Sequence, residues 1–415
     1  MRMSHRYFAF LGSAVGVIVV VGLAPIHVAG QAPPAVATPG VAGVDTPLQT
    51  AWGAPNLQGI WQNNEVTPFE RPPRFAGREF LTDAERAAQD KQRAEQAARA
   101  RGRDQRGRPG SEQDVAGAYN AIWGGDGGTR KSGKRTSQVI DPPDGRLPPR
   151  TPESKKSLAE RRDYLNMLLL GSVGSVVAGP PSPRRSEPPP DYNLDRMNRA
   201  DGPEDRAASE RCLGNQLPQI GTLQRIVQSP DAVAIYYDIG QGQGFSRVIP
   251  IDGTPHLPSS IRQQYGDARG RWEGKALVVD ITNFGHQTSF RGSRENLHLI
   301  ERFTRTDPNT LEYKVTVDDR TTWTKPWTVV VDMNRQDEKP NQIYQQTCHE
   351  GNYGLTGMLS NTRAAEKLFK EGKGPDPATQ DIATGGGSGD ENGDETASVA
   401  LPGGVGRNPI PEDEK

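Results

Sequence analysis

Glu301 has the clearest chemical potential in this chain, because it is a carboxylate on the predicted apolar face of a strand. Alternation of apolar and polar residues from position 297 places three apolar residues on the face of Glu301: Leu297, Leu299 and Phe303. A carboxylate among such neighbours needs a cationic partner to offset its lost hydration. The sequence offers three candidates if the fold brings them near, namely Arg271, Arg291 and Arg302, although alternation points Arg302 itself to the other face. Glu301 could then act as a general acid or orient a ligand, unless a bulge or a sheet edge exposes it to water.

Four histidines follow the N-terminal segment: His256, His286, His298 and His349. Paired with Glu301, His298 or His349 would supply the acid and base of a hydrolase or lyase acting on a carbohydrate-like substrate. Three histidines and a glutamate could alternatively bind zinc, which takes three or four nitrogen and oxygen ligands. No two of these histidines have the short spacing of zinc motifs, so the sequence predicts no metal site. Phosphate-loop and dinucleotide fingerprints are also absent from the sequence, and we expect no cofactor.

A second group of residues favours ligand binding rather than catalysis. Arg271 and Trp272 lie in a turn before a predicted strand, and a tryptophan beside charged residues suits stacking on a sugar or aromatic ring. Arg291 and Glu295 lie in the long polar loop 285–296, and long loops on rigid β-scaffolds often carry function. These four residues are the predicted ligand-binding residues. The alternative for Trp272 is a structural role at the end of a barrel or sandwich core.

The elements that must position these residues are about eight short strands between residues 223 and 348. The clearest hairpin joins residues 297–305 to residues 311–317 through the sequence DPNT, whose proline, aspartate and asparagine favour a tight turn. Consecutive strands of this kind predict a mainly β protein. We expect an antiparallel meander that forms a barrel or a sandwich, with a few peripheral helices and disordered termini.

Helices are predicted on both sides of the strand-rich part. A capping box at Thr82 and Glu85 opens the first, Pro152 lies in the first turn of the second, and residues 362–370 form a short third. We expect one β-rich domain over residues 51–370, with a proline-rich insertion near 166–198. Residues 371–415 are glycine-rich and acidic, which predicts a disordered tail.

Residues 1–30 have the features of a secretory signal peptide. Arg2 and Arg6 precede an apolar run that ends at Pro25, and small residues at positions 28–30 offer a cleavage site. An uncleaved membrane anchor is the alternative, because the run is close to spanning length. Residues 31–50 form a linker by composition. Cleavage predicts a periplasmic or secreted protein with no stable membrane span.

The two cysteines, Cys212 and Cys348, flank the strand-rich segment. Disulfides persist in oxidising compartments, where a pair of free thiols is a liability. We therefore predict a bridge between them, with two unpaired buried thiols as the alternative. The net charge of −1 over 415 residues gives no global attraction to nucleic acid, and we expect no nucleic-acid partner.

Several longer segments match a known pattern: YNAIW at 119–123, RTSQVIDPPDGR at 135–146, GPEDRAASERC at 202–212, GRWEG at 270–274, FRGSRENLH at 290–298 and CHEGNYG at 348–354. They resemble an uncharacterised family of exported bacterial β-rich proteins of unknown function. The resemblance implies a shared fold and export, and residues 166–198 look like an insertion relative to it. It implies no activity and no catalytic residues. Separately, Gly59 and Trp61 resemble the Gly-x-Trp that opens the barrels of lipocalin-like proteins, although a helix rather than a meander follows.

Three functions are consistent with these residues. The leading hypothesis is an exported β-scaffold that binds a small molecule or an envelope partner. The second is the hydrolase or lyase described above, which requires Glu301, His298 and His349 to meet in one pocket. The third is a purely structural envelope protein.

Overall fold

A meander of antiparallel strands forms the body of the protein in a computed structural model. The structure describes residues 47–104, 130–169, 178–179, 200–206, 211–213, 216–240, 243–285, 289–339, 348–349, 352–379 and 381–382. The predicted signal peptide, nearly all of the linker, most of the proline-rich insertion and most of the acidic tail lie outside these residues. Among the described residues, no helix combines the length and the apolar character needed to span a bilayer.

Nine strands make up the main sheet: β1 (Gly59–Gln62), β6 (Leu223–Gln228), β7 (Ala232–Gly240), β8 (Gln243–Pro250), β9 (Asp267–Glu273), β10 (Ala276–Thr282), β11 (His298–Asp307), β12 (Thr310–Asp318) and β13 (Trp327–Arg335). A tenth, β4 (Val139–Asp141), pairs with the first part of β13. Four shorter strands form two separate pairs: β2 (Glu65–Val66) with β3 (Lys131–Ser132), and β5 (Ala178–Gly179) with β14 (Asp381–Ile382). Eight of the strands fall between residues 223 and 335, which confirms the predicted strand run.

The nine strands form a nearly closed barrel in the order β8-β7-β6-β1-β13-β12-β11-β10-β9. β6 to β8 and β9 to β13 are two meanders, and β1 lies between β13 and β6 to join them. All eight pairings are antiparallel. Because the number of strands is odd, the edge strands β8 and β9 run in the same direction. Parallel neighbours need a connection of about a dozen residues or more, and residues 251–266 provide it.

The seam between β8 and β9 is closed by packing. Gly270 of β9 lies so close to β8 that a Cβ atom there would be 2.9 Å from Cγ2 of Ile249 and 2.5 Å from Cγ2 of Ile251. The rings of Phe245 and Tyr265 stack with their centroids 4.3 Å apart and connect β8 to the segment just before β9. The mainly β antiparallel prediction is confirmed, and of its two forms the molecule adopts the barrel.

Inward-facing side chains form an apolar core inside the barrel. The burial of β12 alternates strictly, with its four buried side chains pointing inward: Leu311, Tyr313, Val315 and Val317. At β1 the fully buried Trp61 ring lies 5.8 Å from the guanidinium carbon of Arg305 and 5.7 Å from that of Arg335. Gly59 and Trp61 therefore do belong to a barrel strand.

Three helices lie in the described part of the chain: α1 (Asp83–Asp104), α2 (Pro152–Leu169) and α3 (Tyr353–Lys370). The predicted capping box at α1 is confirmed, because Thr82 N donates to Glu85 Oε2 at 2.8 Å and Glu85 N donates to Thr82 Oγ1 at 3.2 Å. The predicted start of α2 at Pro152 is also confirmed. α3 begins nine residues earlier than predicted. No helical side chain that the structure describes belongs to the barrel core, which agrees with the predicted peripheral position.

The predicted disulfide is present. Cys212 and Cys348 are bonded across a separation of 136 residues, with their Cα atoms 5.6 Å apart. The bridge joins the segment before β6 to the segment that leads into α3, so it closes a loop that contains β6 to β13.

Candidate functional site

Glu301 lies inside the barrel, on the apolar face that the sequence predicts. Its side chain is fully buried. Its neighbours on β10 and β12 in the same register are Val279 and Val315, both fully buried. A bulge or exposed edge at this position is excluded, so the carboxylate must find its partners within the barrel.

Three polar side chains from other strands surround this carboxylate. Arg247 of β8 donates from Nη2 to Glu301 Oε2 at 2.5 Å, and Tyr313 of β12 donates from its hydroxyl to Oε1 at 2.7 Å. The hydroxyl of Tyr237 on β7 accepts from Arg247 Nη2 at 2.7 Å and from Nε at 3.0 Å. These four residues, here called the interior cluster, are all at least nine-tenths buried.

Burial controls the protonation of the interior cluster. It raises the pKa of Tyr237 and, together with the Glu301 carboxylate, raises that of Tyr313 well above its usual value. Burial disfavours the charged guanidinium of Arg247, but Glu301 outweighs this effect and leaves the arginine pKa raised. At neutral pH the cluster therefore has protonated tyrosines and a charged arginine.

Several buried polar atoms on the barrel strands find no hydrogen-bond partner among the described residues, and Arg247 Nη1, Gln224 Oε1 and Trp327 Nε1 are three of them. Arg247 Nη1 is buried and finds no hydrogen-bond partner among the described residues. Gln224 of β6 donates to the sulfur of Met333, but its Oε1 is likewise without a partner in the described part of the chain. Gln224 lies opposite Tyr237 in the β6–β7 register, and the Tyr237 hydroxyl accepts from Arg247 Nη2. A buried polar atom without a partner costs about 1–3 kcal/mol, and native proteins contain few of them.

The three arginines proposed from the sequence are not the partners of Glu301. Arg271 and Arg302 both pair with Glu273 on the outer surface, at 2.7 and 2.8 Å. Arg291 places its guanidinium carbon 4.0 Å from the centre of the Phe69 ring, in the loop at one end of the barrel.

The sequence did not predict four of the polar residues found inside the barrel: Arg247, Tyr237, Tyr313 and Gln224. The signal for Arg247 is the alternation in β8, where it stands between buried Phe245 and Ile249 on the inner face.

Glu301 does not meet the two histidines that were expected to act with it. His298 is on the same strand but three residues away, so its side chain points to the outer face. There its Nε2 lies 3.0 Å from Asp280 Oδ1. His349 is exposed beside the disulfide. An acid–base pair formed by Glu301 and His298 on one substrate has no geometric support.

His298 belongs to a second polar group on the outside of the barrel. His256 Nδ1 lies 2.9 Å from Asp267 Oδ2, and its Nε2 lies 3.4 Å from Asp280 Oδ1. The hydrogen bond with Asp280 raises the pKa of His298, and the same bond lowers the pKa of Asp280. Among all described residues, no group of three or more histidine, cysteine, aspartate or glutamate side chains is arranged to hold a metal ion.

The His298–Asp280 pair predicts a pH dependence of stability. The folded pKa of His298 is above its unfolded value of about 6.5, so its contribution is complete below that pH and is lost as the pH rises through the folded pKa. Asp280 has a lowered pKa, so its contribution is lost only in acid. We expect the free energy of unfolding, measured with urea, to fall as the pH rises above about 6.5 and through the raised pKa of His298, with a smaller fall in His298→Gln. The matched control, His349→Gln, should keep the full fall; an unchanged profile in His298→Gln would contradict the assignment.

The predicted ligand-binding residues are dispersed. Trp272 packs partly buried against the inner core, whereas Arg271 points outward from the same strand. The described part of the loop 285–296 is closely packed rather than open, with Phe290 and Ser293 buried and Ser293 Oγ donating to Asp319 Oδ2 at 2.6 Å. The backbone oxygen of Glu295 accepts from Arg262 at 2.8 Å. His286 lies outside the described residues.

Comparison with known protein families and with curated proteins gives no match for this chain. The site must therefore be interpreted from its own geometry.

Proposed function

We propose that this protein is an exported β-barrel that binds a small molecule in the barrel interior, at the cluster formed by Arg247, Glu301, Tyr237 and Tyr313. The disulfide supports export, because structural disulfides persist in oxidising compartments. A barrel of about eight strands is just wide enough either to be filled by its own side chains or to hold one small ligand.

The observation that carries this proposal is Arg247 Nη1, a buried donor inside the barrel for which the described residues provide no hydrogen-bond partner. A buried ion pair contributes little to stability, and an apolar replacement of the same volume is often neutral or stabilising. A barrel with a purely structural role would be at least as stable with apolar side chains in place of Arg247 and Glu301. A binding site, in contrast, needs polar groups that the empty protein leaves unpaired.

A second candidate is an envelope partner that contacts the outer wall. Val227 and Val248 are 50% and 65% exposed, and both are register neighbours of Ala234 on β7. They form a small apolar patch outside the barrel. The hydrolase or lyase hypothesis gains no such support, because Glu301 is fully buried and both of its oxygens are engaged.

Binding of the neutral apolar dye N-phenylnaphthylamine to the purified mature protein tests the proposal. We expect saturable binding at one site, weakened about tenfold or more by Ile235→Phe, which enlarges the interior side chain opposite Arg247 in the register. The matched control is Val248→Phe, the same aromatic group placed on the exposed face next to Arg247.

The two variants separate the two candidates. Sensitivity to Val248→Phe alone would place the dye on the outer patch, and absence of saturable binding would contradict an interior site. If Ile235→Phe does not fold, as judged by its melting transition, Val279→Leu fills the interior beside Glu301 with a smaller change.

A further inference from the structure

Two arginines on either side of β1 share a single carboxylate, and that carboxylate holds neither of them closely. In the strand register, Arg225 of β6 is the neighbour of Ile60, and Arg335 of β13 is the neighbour of Trp61. We infer that Arg225 and Arg335 bind a phosphate group, and that Glu338 covers this phosphate site in the free protein. The phosphate site uses no residue of the interior cluster, so it is independent of the proposed function.

The contacts of Glu338 show that the two guanidinium groups reach one anion. Arg335 Nη2 lies 3.6 Å from Glu338 Oε1, and Arg225 Nη2 lies 3.6 Å from Oε2 of the same carboxylate. Both distances exceed the usual N–H···O hydrogen-bond range, which ends at about 3.2 Å. The Glu338 side chain is 49% exposed. It is therefore held by long ion pairs alone and can move into water when another anion takes its place.

A closed group of the same composition lies elsewhere on the outer wall. Glu273 accepts from Arg271 Nε at 2.9 Å and from Arg302 Nη2 at 2.8 Å. These hydrogen bonds, with that of Arg302 the stronger, lower the pKa of Glu273. Two arginines of this barrel can therefore close directly on one carboxylate. The 3.6 Å separations at Glu338 mark an open arrangement by comparison.

The hydrogen-bonding capacity of the pair exceeds what Glu338 supplies. Glu338 directs one oxygen toward each arginine, and the buried Arg225 Nε and Arg335 Nη1 find no partner among the described residues. A phosphate monoester has three acceptor oxygens and a charge of about −1.5 to −2 at neutral pH. Arginine presents its donors in a planar fork that matches phosphate. A phosphate therefore suits two arginines better than the single charge of Glu338 does.

Arg305 adds positive charge next to Arg335. The guanidinium carbons of Arg305 and Arg335 lie 5.8 and 5.7 Å from the centre of the same Trp61 ring. Burial lowers the pKa of Arg305, and the charge of Arg335 lowers it further. A doubly charged anion at Arg335 would offset this repulsion between like charges.

Isothermal titration of inorganic phosphate into the purified mature protein at constant ionic strength tests the inference. We expect saturable binding at one site, weakened about tenfold or more by Arg225→Gln, which removes a charge-assisted hydrogen bond. Glu338→Gln should bind phosphate about tenfold more tightly, because its side chain no longer competes with the anion or repels it. Arg225 is preferred to Arg335 for substitution because its side chain is 34% exposed, against 12% for Arg335.

The closed group provides the matched controls. Glu273→Gln and Arg271→Gln remove the same chemical groups from another part of the surface and should leave the affinity for phosphate unchanged. Equal effects of the two glutamate variants would show general surface electrostatics and overturn the inference. Absence of saturable binding by both the wild type and Glu338→Gln would overturn it as well. If Arg225→Gln does not fold, Glu338→Gln still decides, because a purely structural ion pair predicts no gain in phosphate affinity.

Vesicles distinguish a lipid phosphate from a soluble one. The protein is sedimented with phosphatidylcholine vesicles that contain or lack phosphatidic acid, whose head group is a phosphate monoester. Cosedimentation that requires phosphatidic acid and is lost in Arg225→Gln would assign a lipid head group, and phosphate binding without cosedimentation would assign a soluble ester. Both results support the phosphate site. Cosedimentation that persists in Arg225→Gln, with no binding of inorganic phosphate, would contradict it.

Discussion

Replacement of Arg247 by methionine is expected to lower the free energy of unfolding by about 3–5 kcal/mol, the usual cost of leaving one partner of a buried ion pair alone. Arg247 is 7% exposed and Glu301 is fully buried, so water cannot take over the role of the lost guanidinium. Tyr313 would remain as a partner of the carboxylate, and Tyr237 would lose its donor. Urea denaturation of the wild type and the variant at neutral pH measures this loss.

A double variant separates charge from packing in this result. Arg247→Met with Glu301→Leu removes both charges and keeps an apolar interior, so it should recover most of the lost stability. Arg302→Met is the control, because Arg302 pairs with Glu273 on the surface and its loss should leave stability nearly unchanged. A double variant as unstable as the single variant would show that Arg247 acts through its volume, not its charge.

Loss of the Cys212–Cys348 bridge is expected to lower the free energy of unfolding by about 4–5 kcal/mol in the chain-entropy model. The bridge spans 136 residues, and its loop contains eight of the nine strands of the barrel. Without it, the unfolded chain gains freedom that the folded barrel does not share. Denaturation of the Cys212→Ser and Cys348→Ser double variant measures the effect.

Reduction of the wild-type protein provides the control for this measurement. Dithiothreitol should shift the denaturation midpoint of the wild type toward that of the double serine variant and leave the variant unchanged. Equal midpoints for oxidised wild type and the variant would contradict a stabilising role of the bridge.

The meander was predictable because its strands carry local signals. Alternation identifies the inner face of β11 and β12, and two-residue turns fix their pairing, as the Asp307–Thr310 pair shows. β1 carries no such signal. It pairs with β6 and β13, from which it is separated by more than 150 residues, and no local pattern encodes a contact of that range. The early start of α3 follows from Asn352, whose side chain accepts from Leu355 N at 3.2 Å.

The candidate site was only half predictable, because alternation places a residue on one face of a strand but does not identify its partner on a distant strand. Position 301 could be placed on the inner face from alternation, and Arg302 on the outer face. The partner of Glu301 could not be identified, because Arg247 and Glu301 are separated by β9 and β10 and meet only across the barrel. Gly270 of β9 presents no side chain toward the packed seam with β8. The other predicted residues are divided between the two faces: Trp272 packs against the core, whereas Arg271 and His298 face outward.

A crystal structure grown with saturating N-phenylnaphthylamine tests the central claim most directly, at a resolution that distinguishes water from ligand. Binding in the interior predicts the dye inside the barrel, with its rings within about 4 Å of side chains of the interior cluster. A barrel interior that holds only its own side chains and water at Arg247, with the dye absent or bound on the outer wall, would contradict it.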